Sequence, residues 1–256
     1  MADKKESTEL AKATIGLPAF IDKHDNAVGF EGLGIDTMAI PFIKVLNAMS
    51  PELDESESRY MAGAKLGDIV NSVTHKNYGK SIDFVVIKFE HIFIEWLPER
   101  GGFAGYHQPE EAMALAIDPT KFGTKKASNG NDLDETYMYY MVINGHEEDG
   151  VVIFSADSAD LKQGKILNTL LLTKRFADGQ KALPHHQIIT GTTVDMKNDK
   201  GKWKALTFTF KEFVDENVYN IVMQERKLLA GKKVDYSLAG GDDTVKTQNK
   251  TANIPY

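Results

Sequence analysis

Apolar and polar positions alternate most clearly in SIDFVVIKFEHIFIEW, residues 81–96. Val85, Ile87, Phe89, His91 and Phe93 share one face of a two-residue repeat, and Val86, Lys88, Glu90, Ile92, Ile94 and Trp96 share the other. So long a β-branched and aromatic run predicts a strand, bent or bulged so that it serves two halves of a sheet. Pro98 and Gly101-Gly102 end it. Two more runs predict hairpins. TYMYYMVINGHEEDGVVIFSA sets two apolar strands about a polar turn bounded by Gly145 and Gly150, and HHQIITGTTVDMKNDKGKWKALTFTFKEF turns at Asn198 to Gly201. Shorter strands are predicted in AIPFIKVLNAMSPEL, ended by Ser50-Pro51, and around Asp68 to Val73.

The period changes in SADLKQGKILNTLLLTKRF, where Leu161, Ile166, Leu167, Leu170 and Leu171 repeat at helical spacing and Ser158 is placed as an N-cap. ENVYNIVMQERKLL is a second helix, and HQPEEAMALAID has the pattern of a short one. PERGGFAGYHQ and TKFGTKKASNGNDLDE have the glycines and polarity of loops. Residues 1–12 read as a charged, mobile arm, residues 13–235 as a single domain, and residues 236–256 as a flexible tail of low hydrophobicity. Short strands joined by turns, with no strand–helix alternation, argue against a doubly wound sheet. They predict a mainly β, α+β chain: an antiparallel barrel resembling the oligonucleotide-binding (OB) fold, with two helices inserted and flexible termini.

Charge and composition narrow the chemistry. A net charge of -7 argues against coating duplex DNA by bulk positive charge, though it leaves room for a local basic groove. The absence of cysteine excludes disulfides, thiolate metal sites and cysteine nucleophiles, and fits a reducing, cytoplasmic compartment. No apolar run is long enough to predict a membrane span, and the opening MADKKESTELAK has no leader-like apolar stretch. Gly29, Gly32 and Gly34 lack the Gly-Lys-Ser/Thr of a phosphate loop, no Gly-x-Ser-x-Gly elbow occurs, and no histidine pair has zinc-helix spacing. On a strand, His185 and His186 would point to opposite faces and chelate poorly. No catalytic residue, metal or cofactor is therefore expected, and the reading is non-enzymatic.

Single-strand binders interleave cations that follow phosphates with rings that stack on bases. THKNYGK offers Lys76, Tyr78 and Lys80 on a turn. KGKWKALTFTFK offers Lys202, Trp203 and Lys204; on a strand the two lysines oppose Trp203, which is either a core ring or part of a groove. LLLTKRFADGQK offers Lys174 and Arg175, which also complement a helix C-terminus. Arg100, Phe103 and Tyr106 sit in the glycine-rich PERGGFAGYHQ.

The ending NIPY resembles the tip of bacterial single-stranded DNA-binding proteins, whose tails end in Ile-Pro-Phe and dock partner enzymes, with tyrosine here for phenylalanine. That resemblance implies a partner-binding role for Ile254, Pro255 and Tyr256: a stiffened tip whose ring fills a pocket. Lys246 and Lys250 offset Asp242 and Asp243, whereas such tails are usually acidic. Residues 39–97, with IPFIKVLNAMSPEL, GAKLGDIVNSVT and FVVIKFEHIFIEW, resemble tailed-phage proteins associated with DNA replication or recombination. Together they imply a phage protein that binds single-stranded DNA without sequence preference and engages phage or host replication or recombination proteins through its tip. Two alternatives remain: a metal-dependent nuclease using scattered carboxylates, and a phage protein that binds a host protein.

Overall fold

The computed structural model describes residues 40–121, 123–199 and 201–230. The arm over 1–12, the tail over 236–256 and the tip Ile254-Pro255-Tyr256 lie outside the described residues. Two short strands, β1 (Ile43–Val45) and β2 (Ile69–Asn71), pair with each other. Seven others form one curled antiparallel sheet: β3 (Ser81–Trp96), β4 (Phe103–His107), β5 (Lys125–Lys126), β6 (Asp132–Ile143), β7 (Val151–Asp157), β8 (Gln187–Asn198) and β9 (Gly201–Phe213). The order is β5-β6-β3-β8-β9, with β4 added to β3 and β7 to β6. Three helices accompany them rather than two: α1 (Pro109–Leu115), α2 (Leu161–Thr173) and α3 (Glu216–Leu229). The weak pattern after Gln108 does form its short helix. The architecture is a mainly β half-barrel with helical insertions, and among the described residues no helix is long and apolar enough to cross a membrane.

The predicted long strand is the 16-residue β3. Its first residues, Ser81–Phe84, pair with β8, and Phe84–Trp96 pair with β6. Phe93–Trp96 also pair with β4, on the edge β8 has left. The register with β6 shifts between Val86 and Lys88, so Ile87 is an extra residue. A bulge was expected in this strand, and its position at Ile87 reassigns the faces of the residues beyond it. Val85 and Ile87 belong to one core, whereas Phe89, 43% exposed, lies on the side of the other, 5.7 Å from the Tyr137 ring and 5.2 Å from Tyr139. A bulge inserts one residue into one strand only, so side chains beyond it change face.

Each sheet face has its own core. Phe84, Val86, Tyr139, Phe154 and Phe208 pack with Leu161, Leu167 and Leu171 of α2 and with Ile43 and Ile69 of the β1–β2 pair. Val85, Ile87, Ile92, Tyr140 and Ile153 pack with Val218, Val222 and Leu229 of α3. Coverage on both faces explains why β6 reads as the near-continuous apolar run YMYYMVI. α1 closes a smaller cluster of Phe93, Ala112, Ala127 and Leu133.

Three local expectations change. FAGYH is strand β4, because its backbone pairs with the far end of β3. Ser158 adopts φ +38° in a turn and α2 begins at Leu161, with Asp160 at the N-cap position. Ile166 points outward, 39% exposed, away from the Leu161–Leu171 stripe. α3 is capped at its start by Asp215: the Val218 N–H donates to Asp215 Oδ1 at 2.8 Å, and Arg226 and Lys227 occupy the last turn.

Gly164 in α2 packs directly on β6. A Cβ there would lie 2.8 Å from Tyr137 Cδ2 and 3.2 Å from both Ala156 Cβ and the Tyr139 hydroxyl, which donates to the Gly164 carbonyl. Gly164→Ala should therefore destabilise the protein by about 1–3 kcal/mol despite its better helix propensity, read as a lower thermal midpoint.

His185 supplies a pH signature. It lies on the 3-10 turn Pro184–His186, not on a strand, with its ring 4.4 Å from that of His186. Burial, then the nearby Arg226 and His186 charges, push it down to about 4, and Arg226 Nη1 donates to its Nε2 at 3.3 Å. A base depressed in the folded state leaves the unfolded chain binding more protons between about pH 6.5 and 4. Its stabilising effect is complete above that window and falls as the pH drops through it. Wild type should lose on the order of 2 kcal/mol more than His185→Phe between pH 7 and pH 5, measured by denaturant titration at both pH values.

Candidate nucleic-acid interface

The β1–β2 pair is attached to the sheet by polar contacts that leave a cleft beside it. The Lys204 N–H on β9 donates to Asn47 Oδ1 at 2.6 Å, and Asn47 Nδ2 donates back to the Lys204 carbonyl at 3.3 Å. The Asn47 amide thus acts as a strand partner for Lys204. The Ile153 N–H donates to the Pro41 carbonyl at 2.8 Å, and Phe42 bridges Ile153 in parallel. Asp68 Oδ2 accepts from the Lys65 N–H and from Asn77 Nδ2, which ties the 61–68 loop to the turn after β2.

The resulting cleft has a volume of about 360 Å³. Lys44, Glu52, Arg59, His75, Asp160 and Lys204 line it, with Phe42 and Phe154 among its apolar walls. A second hollow of about 360 Å³ carries Arg59, Tyr60 and His75, so the two share a wall and form one groove. His75 is held at φ +55° by the turn after β2, where the Val73 and Thr74 N–H groups donate to Asn71 Oδ1.

Positive charge gathers at the β8–β9 side of this groove. Lys204 Nζ lies 2.7 Å from Asp195 Oδ1. The Lys204 hydrogen bond and charge, then the charges of Lys202 and Lys80, lower the Asp195 carboxyl pKa. Lys204 is thus paired with a carboxylate whose side chain is 82% exposed, and the Lys202 and Lys80 charges act on it too.

Deeper in the cleft, Glu52 is 3% exposed. Its Oε1 accepts from Lys44 Nζ at 3.0 Å, while Oε2 is buried without a hydrogen-bond partner. Burial pushes Glu52 up, but the Lys44 hydrogen bond, a backbone hydrogen bond and the Lys44 and Arg59 charges outweigh it, so the group is lowered overall. Burial raises Asp160, offset in part by the Trp203 indole beside it. Asp160 Oδ1 and Trp203 Nε1 are both shut off from solvent, so the indole N–H is the donor at hand for this carboxylate, and Ser155 Oγ on the same cleft wall is buried as well.

The structure separates the other candidates. Lys76 Nζ lies 2.8 Å from Glu148 and 2.9 Å from Asp149, and the Tyr78 hydroxyl donates to Asp149 at 2.8 Å. Burial, with the Asp149 carboxylate adjacent, pushes Tyr78 up to about 12, and the Lys76 hydrogen bond brings Glu148 down to about 2. Lys174 Nζ sits 4.4 Å from the Phe210 ring centre, and Arg175 donates to the Gly179 carbonyl of its own loop at 3.0 Å. Arg100 closes the 3-10 turn Pro98–Arg100 at the far end of β3. On β4, Phe103 packs edge-on to Trp96 at 6.1 Å and Tyr106 is 40% exposed. A strand the length of β3 spans up to ~50 Å, so the Arg100, Phe103 and Tyr106 group stands apart from Lys80, Lys202 and Lys204. Lys44, Arg59, Tyr60 and His75 were not singled out from sequence. The basic–aromatic pair Arg59-Tyr60 was visible, but it follows the acidic run ELDESES.

Among the described residues, His146, Glu148 and Asp149 bring ligand atoms close enough to hold a metal ion. The Lys76 ammonium already supplies the positive charge between those two carboxylates. His185 and His186 face Arg226, whose charge opposes a second cation there.

A family model described as Pam3 phage gp34-like protein matches residues 6–235. No curated protein and no solved structure matches the chain.

Lys76 and Tyr78 are engaged in holding the turn before β3 to the turn between β6 and β7. Lys76→Ala should lower stability by about 1–2 kcal/mol, since it strips Asp149, whose side chain is 9% exposed, of its cation. Thermal melting and oligonucleotide titration of the variant, side by side, should show the first change without the second.

Proposed function

This chain belongs to the Pam3 phage gp34-like family, and we propose that it is a non-enzymatic phage protein that binds single-stranded DNA. The observation that carries this reading is the groove lined by Lys204, Arg59 and Lys44, with Lys204 paired to the exposed Asp195, on which the Lys202 and Lys80 charges also act. A strand phosphate is an anion of the kind Asp195 imitates, and it gains by replacing that carboxylate among the lysines. Tyr60, 38% exposed on the second hollow, supplies a stacking ring. In this reading the half-barrel is an OB-like platform. The protein acts in the cytoplasm of the infected cell during phage DNA replication or recombination. Ile254, Pro255 and Tyr256 engage phage or host enzymes of those processes.

The groove suits a flexible strand better than a duplex. Its cations lie between two structural pieces and beside apolar walls, so a strand must bend in and unstack to reach them. Phosphate contacts and stacking on Tyr60 do not depend on base order along most of the strand.

One observation favours the second reading, a phage protein that binds a host protein. A mostly apolar hollow of about 420 Å³ lies between the β3 bulge and the ends of α2 and α3, lined by Phe89, Leu172, Leu183, His185 and Arg226. Leu172 is 56% and Leu183 48% exposed.

Fluorescence anisotropy with labelled oligonucleotides, with and without magnesium, separates the readings. The single strand should bind intact, the matching duplex much more weakly, and affinity should fall with salt by a log–log slope of about -0.7 per phosphate neutralised. Lys204→Ala and Arg59→Ala should each weaken binding and reduce that slope by about one phosphate. Asp195→Asn, which removes the competing anion, should tighten binding a few-fold. Equal affinity for duplex and single strand would overturn this assignment, magnesium-dependent cleavage would point to a nuclease, and no binding would favour the host-protein reading.

A further inference from the structure

The hollow between the β3 bulge and the ends of α2 and α3 shares no lining residue with the groove proposed for DNA. Its volume is about 420 Å³ and its walls are mostly apolar. The polar groups on those walls are donors that lack acceptors. Arg226 Nη1 donates to His185 Nε2 at 3.3 Å and reaches the Met223 sulfur at 3.6 Å. Among the described residues no carboxylate pairs with Arg226, and none lines the hollow. After burial, the Arg226 charge is the next cause that lowers His185 and His186, as a cation without a neutralising partner does. Lys88, also on the wall, is already met by Glu90 at 3.0 Å. Asn168 Oδ1 accepts from the Tyr139 hydroxyl at 3.0 Å, so its amide nitrogen is the open donor, with no partner among the described residues. Neither side chain is sealed off: Arg226 and Asn168 both line the hollow and are partly exposed. The end of α2 does not oppose an anion through Leu171, whose carbonyl is taken by Gln187 Nε2 at 2.9 Å.

We infer that this hollow is the docking site for a segment of a partner protein that carries a large apolar side chain beside an aspartate or glutamate. The inference rests on the protein-binding reading of the hollow and names the partner's chemistry; the DNA groove takes no part in it. Apolar anchors seated in a pocket carry most of the binding energy of such contacts. Here the anchor lies against the apolar wall, the carboxylate meets Arg226, and Asn168 donates to a carbonyl of the bound segment. Charge fixes the sign of the partner, because a half-buried guanidinium gains a charge-assisted hydrogen bond only from an anion. Extent fixes its class. Phe89, Leu172 and Leu183 line the hollow and are exposed. A small molecule seated inside leaves their outer surfaces wet, whereas a protein segment covers them. A DNA strand needs a succession of cations, and Lys88 is already engaged by its own carboxylate.

The test pans a phage-displayed library of random short peptides on the full chain, with Leu172→Glu as the counter-selection. Leu172 is exposed, so that variant should keep its thermal midpoint within a few degrees. Enriched peptides should pair Leu, Ile, Met or Phe with Asp or Glu within one helical turn. A synthetic copy of the strongest should bind the wild type at least about tenfold tighter than it binds Leu172→Glu or Arg226→Gln, the size of one hydrogen bond to a charged group. Replacing its acidic residue by Lys should abolish binding to the wild type and restore it to Arg226→Glu. Leu172→Glu keeps the test decisive if the Arg226 variants fold poorly. No enrichment, enrichment of peptides without an acidic residue, or equal binding to the wild type and Leu172→Glu overturns the inference. So does displacement of the peptide by oligo-dT, which would make the hollow a DNA contact. Self-association in sedimentation velocity that Leu172→Glu abolishes would make the occupant a second copy, and enrichment only on an Ile254→Ser/Tyr256→Ser variant would make it the chain's own residues; either overturns the partner assigned here. None of these results alters the oligonucleotide titrations of the groove.

Discussion

The fold depends on one strand having to satisfy three neighbours. β3 pairs with β8 at its start, with β6 along most of its length and with β4 at its end. A flat strand would present one invariant pair of faces to all of them. The extra residue at Ile87 breaks that constraint: it puts Ile87 and Lys88 on the same side, Lys88 Nζ 4.7 Å from the Tyr140 ring centre, and sends Phe89 to the opposite face. A bulge also sharpens local twist. The sheet therefore curls where β8 leaves the edge of β3, and α2 and α3 close its two faces.

Curling has a consequence at the other end of the sheet. β1 and β2 are too short to form a layer of their own. They contribute Ile43 and Ile69 to the α2-side core and otherwise hold on through Asn47, Phe42 and the Pro41 carbonyl. These are few and directional contacts, and between them the two pieces do not close. The cleft is that gap. Its charges come from chain positions as distant as Lys44 and Lys204, brought together by the pairing of the Asn47 side-chain amide with the β9 backbone.

Much of the fold was legible because it obeys simple periodicities. The β6–β7 and β8–β9 hairpins and the long β3 follow from alternation and turn residues, and α3 from the run ENVYNIVMQERKLL. What was hidden depends on partners distant in sequence. Nothing in VVIKFE marks Ile87 as the supernumerary residue, because a bulge is defined by the strand opposite. FAGYH looks like a loop until the vacant edge of β3 recruits it. Three basic–aromatic candidates illustrate the limit for the site. Lys76 and Tyr78, Lys174, and Phe103 each stand in a stretch that interleaves cations and rings as a groove would, and each also has a local partner: Asp149 for Lys76 and Tyr78, Phe210 for Lys174 and Trp96 for Phe103. Lys80, Lys202 and Lys204 were recognisable singly. The pairing of Lys204 with Asp195, with the Lys202 and Lys80 charges also acting there, needed the β8–β9 pairing and the end of β3, and Arg59 was masked by its acidic neighbours. The residues matched by the phage family model run from 6 to 235, so the family spans the cleft and both cores.

The central claim is that single-stranded DNA lies along the groove between the β1–β2 pair and the β8–β9 hairpin. Photo-crosslinking of a halogenated oligonucleotide to the full chain, with adducts located by peptide mass spectrometry, tests it most directly. Adducts at Tyr60 and His75, with others on the β9 peptide that carries Trp203, are the predicted result. Adducts confined to Phe103 and Tyr106 on β4, or to Phe89 beside α2, would contradict it.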